Sequence, residues 1–250
     1  MVKRKKIETR TGLLLLVIGL LLLSAPGFGQ EETNYNQQLW LDYNPKVVMG
    51  NSPFLLYGNL GYRTIFPSDW HRYYLNIGIS YSPFIHNENL ASAIQYLQLH
   101  GGIADFYTQS LEDLNMNEIR TYVGVKFRWP SLKRVYFTHY TRFEQRFESL
   151  SDSDVRENTP RFRYRLSAKI RLLKPALHDF YIPAHAEIFT NTGRELYFKE
   201  VTRITFGLGY DINDHFSTAV LLSYHFSRNS SSDPFENNDL VYRLRLYHTF

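Results

Sequence analysis

The stretch from Lys133 to Leu172 admits few folds. Every second residue from Arg134 is polar or charged (Arg134, Tyr136, Thr138, Tyr140, Arg142, Glu144, Arg146, Glu148), and the interleaved set is richer in apolar groups (Val135, Phe137, His139, Thr141, Phe143, Gln145, Phe147). After a polar loop the pattern resumes, with Arg161, Arg163, Arg165, Ser167, Lys169 and Arg171 set against Phe162, Tyr164, Leu166, Ala168, Ile170 and Leu172. A period of two demands strands with one apolar and one charged face. These runs exceed the length of about five or six residues usual in a globular sheet and approach what a tilted membrane-crossing strand needs. The competing reading is a pair of long strands in a soluble sandwich, so the rest of the chain has to decide.

The N-terminus bears on compartment. Lys3, Arg4, Lys5 and Lys6 form a positive region, Leu13–Leu23 is apolar, and Ala25-Pro26-Gly27-Phe28-Gly29-Gln30 offers small residues suited to signal peptidase. The apolar core is shorter than the roughly 20 residues of a spanning helix, so the sequence predicts a cleaved signal peptide over 1–29 rather than a retained anchor. A short lead, 30–36, follows, and the remainder, 37–250, reads as one domain. Residues 1–29 hold five Lys/Arg and one Glu, which leaves 23 Lys/Arg against 23 Asp/Glu in the exported chain. The formal +4 therefore sits in the leader, and a nucleic-acid partner is excluded on that ground.

There are no cysteines, so neither disulfides nor a thiolate metal site can contribute. No later segment resembles a transmembrane helix, yet the chain holds 19 Tyr and 18 Phe. That combination fits a transmembrane β-barrel, in which only alternate residues face lipid. Strands are expected at 37–48, 54–66, 71–82, 93–107, 117–129, 133–148, 159–173, 178–191, 199–212, 215–228 and 238–250. Short turns (130–132, 174–177, 213–214) alternate with longer polar loops (108–116, 149–158, 191–198, 228–237), as periplasmic turns alternate with external loops. Eleven runs conflict with the even number that an all-antiparallel closure requires. The expectation is therefore an up-and-down barrel of twelve strands, with ten as the alternative; a short extra strand between Pro83 and Ala93 would supply the twelfth.

Tyr242, Leu244, Leu246 and His248 alternate into a terminal Phe250, which resembles the C-terminal signal read by barrel-assembly machinery. Leu97–Gly102, Asn117–Arg120, Thr138–Phe147, Arg161–Leu166, Ala186–Phe189 and Arg203–Tyr210 together resemble a family of Gram-negative envelope proteins, the domain-of-unknown-function 2490 family. The resemblance is close over 97–250 and looser before it. It implies an outer-membrane barrel in contact with outer-membrane lipid and brings no assigned activity.

The charged face is the main candidate site. Fifteen Lys/Arg fall on the inward register (120, 126, 128, 134, 142, 146, 161, 163, 165, 169, 171, 199, 203, 243 and 245), against few acids: Glu118, Glu144, Glu148, Glu187 and Asp211. The lumen network is assigned to Arg120, Arg142, Glu144, Arg146, Arg161, Arg163, Arg165, Glu187, Arg203, Arg243 and Arg245. Rings of Lys/Arg select anions in pores, so a narrow pore for small anionic solutes is one outcome; a lumen filled by mutually satisfied Arg–Glu–Tyr groups is the other. Glu144 is expected to sit ionised among Arg142, Arg146, Arg163 and Arg165, accepting from at least one Arg of the 159–173 strand. Phe137, Phe143, Phe162, Leu166, Ile170, Val220 and Leu244 should face lipid.

Other constellations are weaker. His225 and Ser227 share a face in a spacing that resembles outer-membrane phospholipases, but a nucleophile needs a base and an orienting group in defined geometry. His185 and Glu187 share a face without a third ligand at convincing spacing. Gly207 and Gly209 lie in a strand, where they relieve crowding rather than cradle phosphate. No metal and no cofactor are expected. A non-enzymatic envelope barrel is the first function the sequence supports, and an outer-membrane enzyme acting on lipid or envelope glycan is the alternative.

Overall fold

The computed structural model describes residues 36–66, 70–84, 96–110, 115–129, 134–151, 156–172, 177, 179–191, 201–227 and 236–250. The signal-peptide assignment to 1–29 and the extra strand sought between Pro83 and Ala93 lie essentially outside them. Among the described residues eleven strands follow one another: β1 (Asn36–Val48), β2 (Phe54–Phe66), β3 (Trp70–Tyr81), β4 (Gln98–Ser110), β5 (Met116–Arg128), β6 (Val135–Leu150), β7 (Arg156–Arg171), β8 (Phe180–Asn191), β9 (Val201–Asp211), β10 (Phe216–Ser227) and β11 (Glu236–Thr249).

Each strand pairs antiparallel with the next, and β1 closes the barrel against β11 in parallel register, from Asn36↔Asp239 to Lys46↔Thr249. This corrects the expected strand number: among the described residues eleven strands close the barrel, not twelve or ten. The parity rule holds only when every pair is antiparallel; one parallel seam removes it. The strands flanking the four expected longer loops meet at the end opposite Phe250, and β3 ends and β4 begins at its own end. The loop expected at 149–158 shrinks because β6 and β7 pair as far as Ser149↔Arg156.

The barrel is polar inside and apolar outside. Inward positions include Asp42, Glu118, Arg120, Glu144 and Glu187, all buried, whereas Leu60, Ile77, Ile103, Val123, Phe143, Phe162, Leu166, Ile204, Phe206 and Leu244 are exposed on the outer wall. A soluble sandwich would hide that apolar set between sheets; this wall instead suits an apolar surrounding. Phe137, Ile170 and Val220 share the outward register with their exposed neighbours.

Aromatic rings gather near both rims, as in membrane barrels. Phe54 meets Tyr81, Phe127 stacks on His139, and His248 lies between Phe216 and Phe250 towards the C-terminal end. Towards the other end Tyr62 meets His71 and Tyr73. Inside the wall, large rings cross small residues. A Cβ on Gly61 would lie 1.9 Å from the Tyr74 ring, and one on Gly209 would lie 2.1 Å from the Tyr181 ring. The crowding relief expected at Gly209 is thus specific: the glycine is the seat of a cross-strand tyrosine.

Candidate functional site: the charged barrel interior

Period-two strands place alternate side chains on the inner wall, and pairing registers decide which charges meet. Arg120 faces Arg146 across β5–β6, Glu118 faces Glu148, and Arg142 faces Arg163 across β6–β7. Directly opposed like charges repel, and the side chains resolve this by reaching along or diagonally across strands. Glu118, fully buried, accepts from Arg120 Nε and from Arg146 Nε, each at 2.5 Å. Arg146 also donates to Glu148.

Glu144, also fully buried, lies opposite Arg161. It accepts from Arg142 along its own strand and from Arg161 Nε at 2.9 Å, and Arg163 Nη1 is 3.9 Å away. The neighbours differ in part from the sequence reading: Arg146 turns to Glu118 and Glu148, while Arg165 turns to Glu187 at 3.3 Å. Glu187 is a second centre, taking Arg163 Nη2 at 2.6 Å and standing 3.9 Å from Arg203 Nη1.

Asp42 is a third centre that the sequence reading missed. It accepts from Arg243 and Tyr74, with Arg245 Nε at 3.4 Å, so the β1–β11 seam is bridged by ion pairs as well as backbone. Arg245 further donates to Asn44 Oδ1 at 2.8 Å. Asp211 lies 3.8 Å from Lys169 and 3.7 Å from Arg171. Lys46, Arg63 and Arg72 were missed as well. The signal was the alternation Gln38, Trp40, Asp42, Asn44, Lys46 in β1, obscured because Tyr, Asn and Gly rather than Arg fill much of the inner face of β2 and β3.

The remaining assignments divide. Arg134 is exposed in the turn before β6, and Lys199 lies outside the described residues. Tyr242, Leu244 and Leu246 point outward on β11, and Phe250 is exposed at its end. His225 points inward and is buried, with Nδ1 4.0 Å from Asp239 Oδ2. The outer wall therefore gives no direct approach to it, and the buried hydroxyl nearby, Ser223, is engaged with Thr205 at 2.7 Å; the Ser227 side chain lies outside the described set. Among the described residues no three His, Asp or Glu side chains gather in metal-binding geometry around His185 and Glu187.

Among curated proteins none matches this chain. Among solved structures, the NanC porin is similar at TM-score 0.49 and 11% identity, over 85% of this chain and 99% of that one. The translocator domain of the autotransporter NalP from Neisseria meningitidis is similar at TM-score 0.44 and 11% identity, over 72% and 70%. The anion-selective porin from Comamonas acidovorans is similar at TM-score 0.35 and 11% identity, over 78% and 55%. The family profile described as "Protein of unknown function (DUF2490)" matches residues 37–236, almost the whole barrel, and the chain belongs to that family.

Proposed function

We propose that this protein is an outer-membrane barrel that admits small anions along a basic inner wall. One observation carries the reading. The inward cations of β7 emerge progressively into solvent-accessible space: Arg161 is 13% exposed, Arg163 17%, Arg165 26%, Lys169 37% and Arg171 48%. The inner wall of β7 is thus open to solvent towards the end carrying Phe250, and its outermost row is basic. Among the described residues Lys46, Arg72, Lys126 and Arg128 have no carboxylate within ion-pair distance, so the positive charge of the wall exceeds its acids. Fixed positive charge on a narrow low-dielectric wall concentrates anions and repels cations.

Chloride release from proteoliposomes loaded with a chloride-sensitive dye tests passage. Vesicles carrying the folded barrel should exchange chloride for nitrate faster than empty vesicles. Lys126→Glu together with Arg128→Glu should slow that exchange. Rates equal to those of empty vesicles would remove the reading.

A further inference from the structure

A cluster of aromatic and basic side chains in the interior surrounds Trp40. This residue projects inward from β1 and is 4% exposed. Arg63 Cζ, from β2, lies 3.9 Å from the centroid of its ring; Arg243 Cζ, from β11, lies 5.1 Å away and Arg203 Cζ, from β9, 5.5 Å. His225, from β10, meets the same ring edge-on with centroids 5.3 Å apart. Five neighbouring strands around the parallel seam converge on one indole.

The charges there do not cancel. Arg243 is matched by Asp42. Arg203 stands 3.9 Å from Glu187, which Arg163 and Arg165 engage more closely at 2.6 and 3.3 Å. Arg63 has no carboxylate within ion-pair distance among the described residues; Trp40, Tyr74 at 4.6 Å and Phe106 at 5.8 Å surround it instead. A cation–π contact holds a guanidinium in place without neutralising it. A cation withdrawn from water and left without a carboxylate in contact is costly, so a wall that needed only filling would be served better by apolar groups.

Donors are also left over. Arg63 Nε and Arg203 Nε are buried without a hydrogen-bond partner, and so is His225 Nε2, which donates in one of the two neutral tautomers. His225 is 5% exposed, and a neutral imidazole still carries one N–H. Arg203 keeps 25% of its side chain exposed, so the cluster is reached from the lumen.

We propose that this cluster is a binding site for a small oxyanion of the carboxylate, phosphate or sulfate class, held by Arg63 and Arg203 against Trp40 and His225. The proposal rests on the reading of the lumen as an anion path and gives that path a defined station. A guanidinium presents its N–H groups in a planar fork that matches two oxygens of such an anion. The indole shields one side from water, which strengthens the attraction.

Trp40 is its own reporter. The chain has three tryptophans, so Trp70→Phe with Trp129→Phe leaves a single indole at the cluster. In detergent micelles, titration with inorganic phosphate should change its fluorescence saturably, and phosphate should protect it from quenching by iodide. Arg63→Gln and Arg203→Gln should each weaken phosphate about tenfold or more, the loss expected for one charge-assisted contact. Arg134→Gln, in the exposed turn, should leave it unchanged. Heat-modifiable gel migration establishes that each variant is folded. Should Arg63→Gln not fold, Arg63→Lys keeps the charge, loses the fork and should weaken phosphate several-fold. A linear, unsaturable response of the two-Phe protein overturns the site, as does wild-type affinity in both Gln variants. Chloride exchange without phosphate saturation would remove the station and leave the pore; saturation without exchange would do the reverse.

Discussion

Glu144 shows how single residues hold this interior together. It carries one negative charge between Arg142, Arg161 and Arg163 and has no exposed surface. Removing one member of a buried pair leaves its partners uncompensated, which costs about 3–5 kcal/mol. Here three guanidinium groups lose their common acceptor, although lumen water offsets part of the loss. We therefore expect Glu144→Gln to lower the stability of the barrel by about 3 kcal/mol in urea titrations of protein folded into vesicles. Glu144→Asp, which keeps the charge, should lie between that variant and the wild type. A Glu144→Gln barrel as stable as wild type would show that Glu144 does not tie β6 to β7.

In each strand one face is apolar and points outward while the other carries charge. Phe162 lies exposed on the outer face near the middle of β7, paired with Phe143. An Arg placed there should cost about 2–4 kcal/mol. Asp105 breaks the rule, standing exposed on the outer face of β4 opposite Leu75 and Ile119, beside the apolar groove of Leu41, Leu60, Tyr73 and Leu244. A carboxylate in the lipid band is costly, though less so than Arg. Asp105→Leu should therefore raise the urea midpoint, and a lowered midpoint would mean that the carboxylate has a stabilising partner. Strands β5, β6, β7 and β11 were legible in the sequence because Arg alternates with Phe, Leu or Val, so charge and apolarity separate cleanly. Strand positions in β1–β3 were also legible, but their inner face was not. Trp40, Tyr57, Gly61 and Tyr74 face inward there while Leu and Ile face outward, and this softer contrast hid Asp42 and Arg63.

The whole molecule turns on the seam between β1 and β11. Local alternation says nothing about which strands meet at closure, so a parallel pair left no trace in the sequence and the count was forced to be even. Its consequence is topological: β1 begins at the end opposite to Phe250 and the turn at Asn213-Asp214. The chain has no cysteine, so single thiols report sidedness without background. A membrane-impermeant maleimide applied to intact cells should label either Asn36→Cys or Asp214→Cys, and not both; equal labelling would place the two on one side and contradict the seam. The same closed wall gathers the basic rows of β5, β7, β9 and β11 around one interior, and this is what a passing ion would meet. The most direct measurement is the reversal potential of the wild-type protein in a planar bilayer under a potassium chloride gradient. The expected sign is that of chloride selectivity; the sign of potassium selectivity, or no current from folded and inserted barrels, would contradict an anion path along this wall.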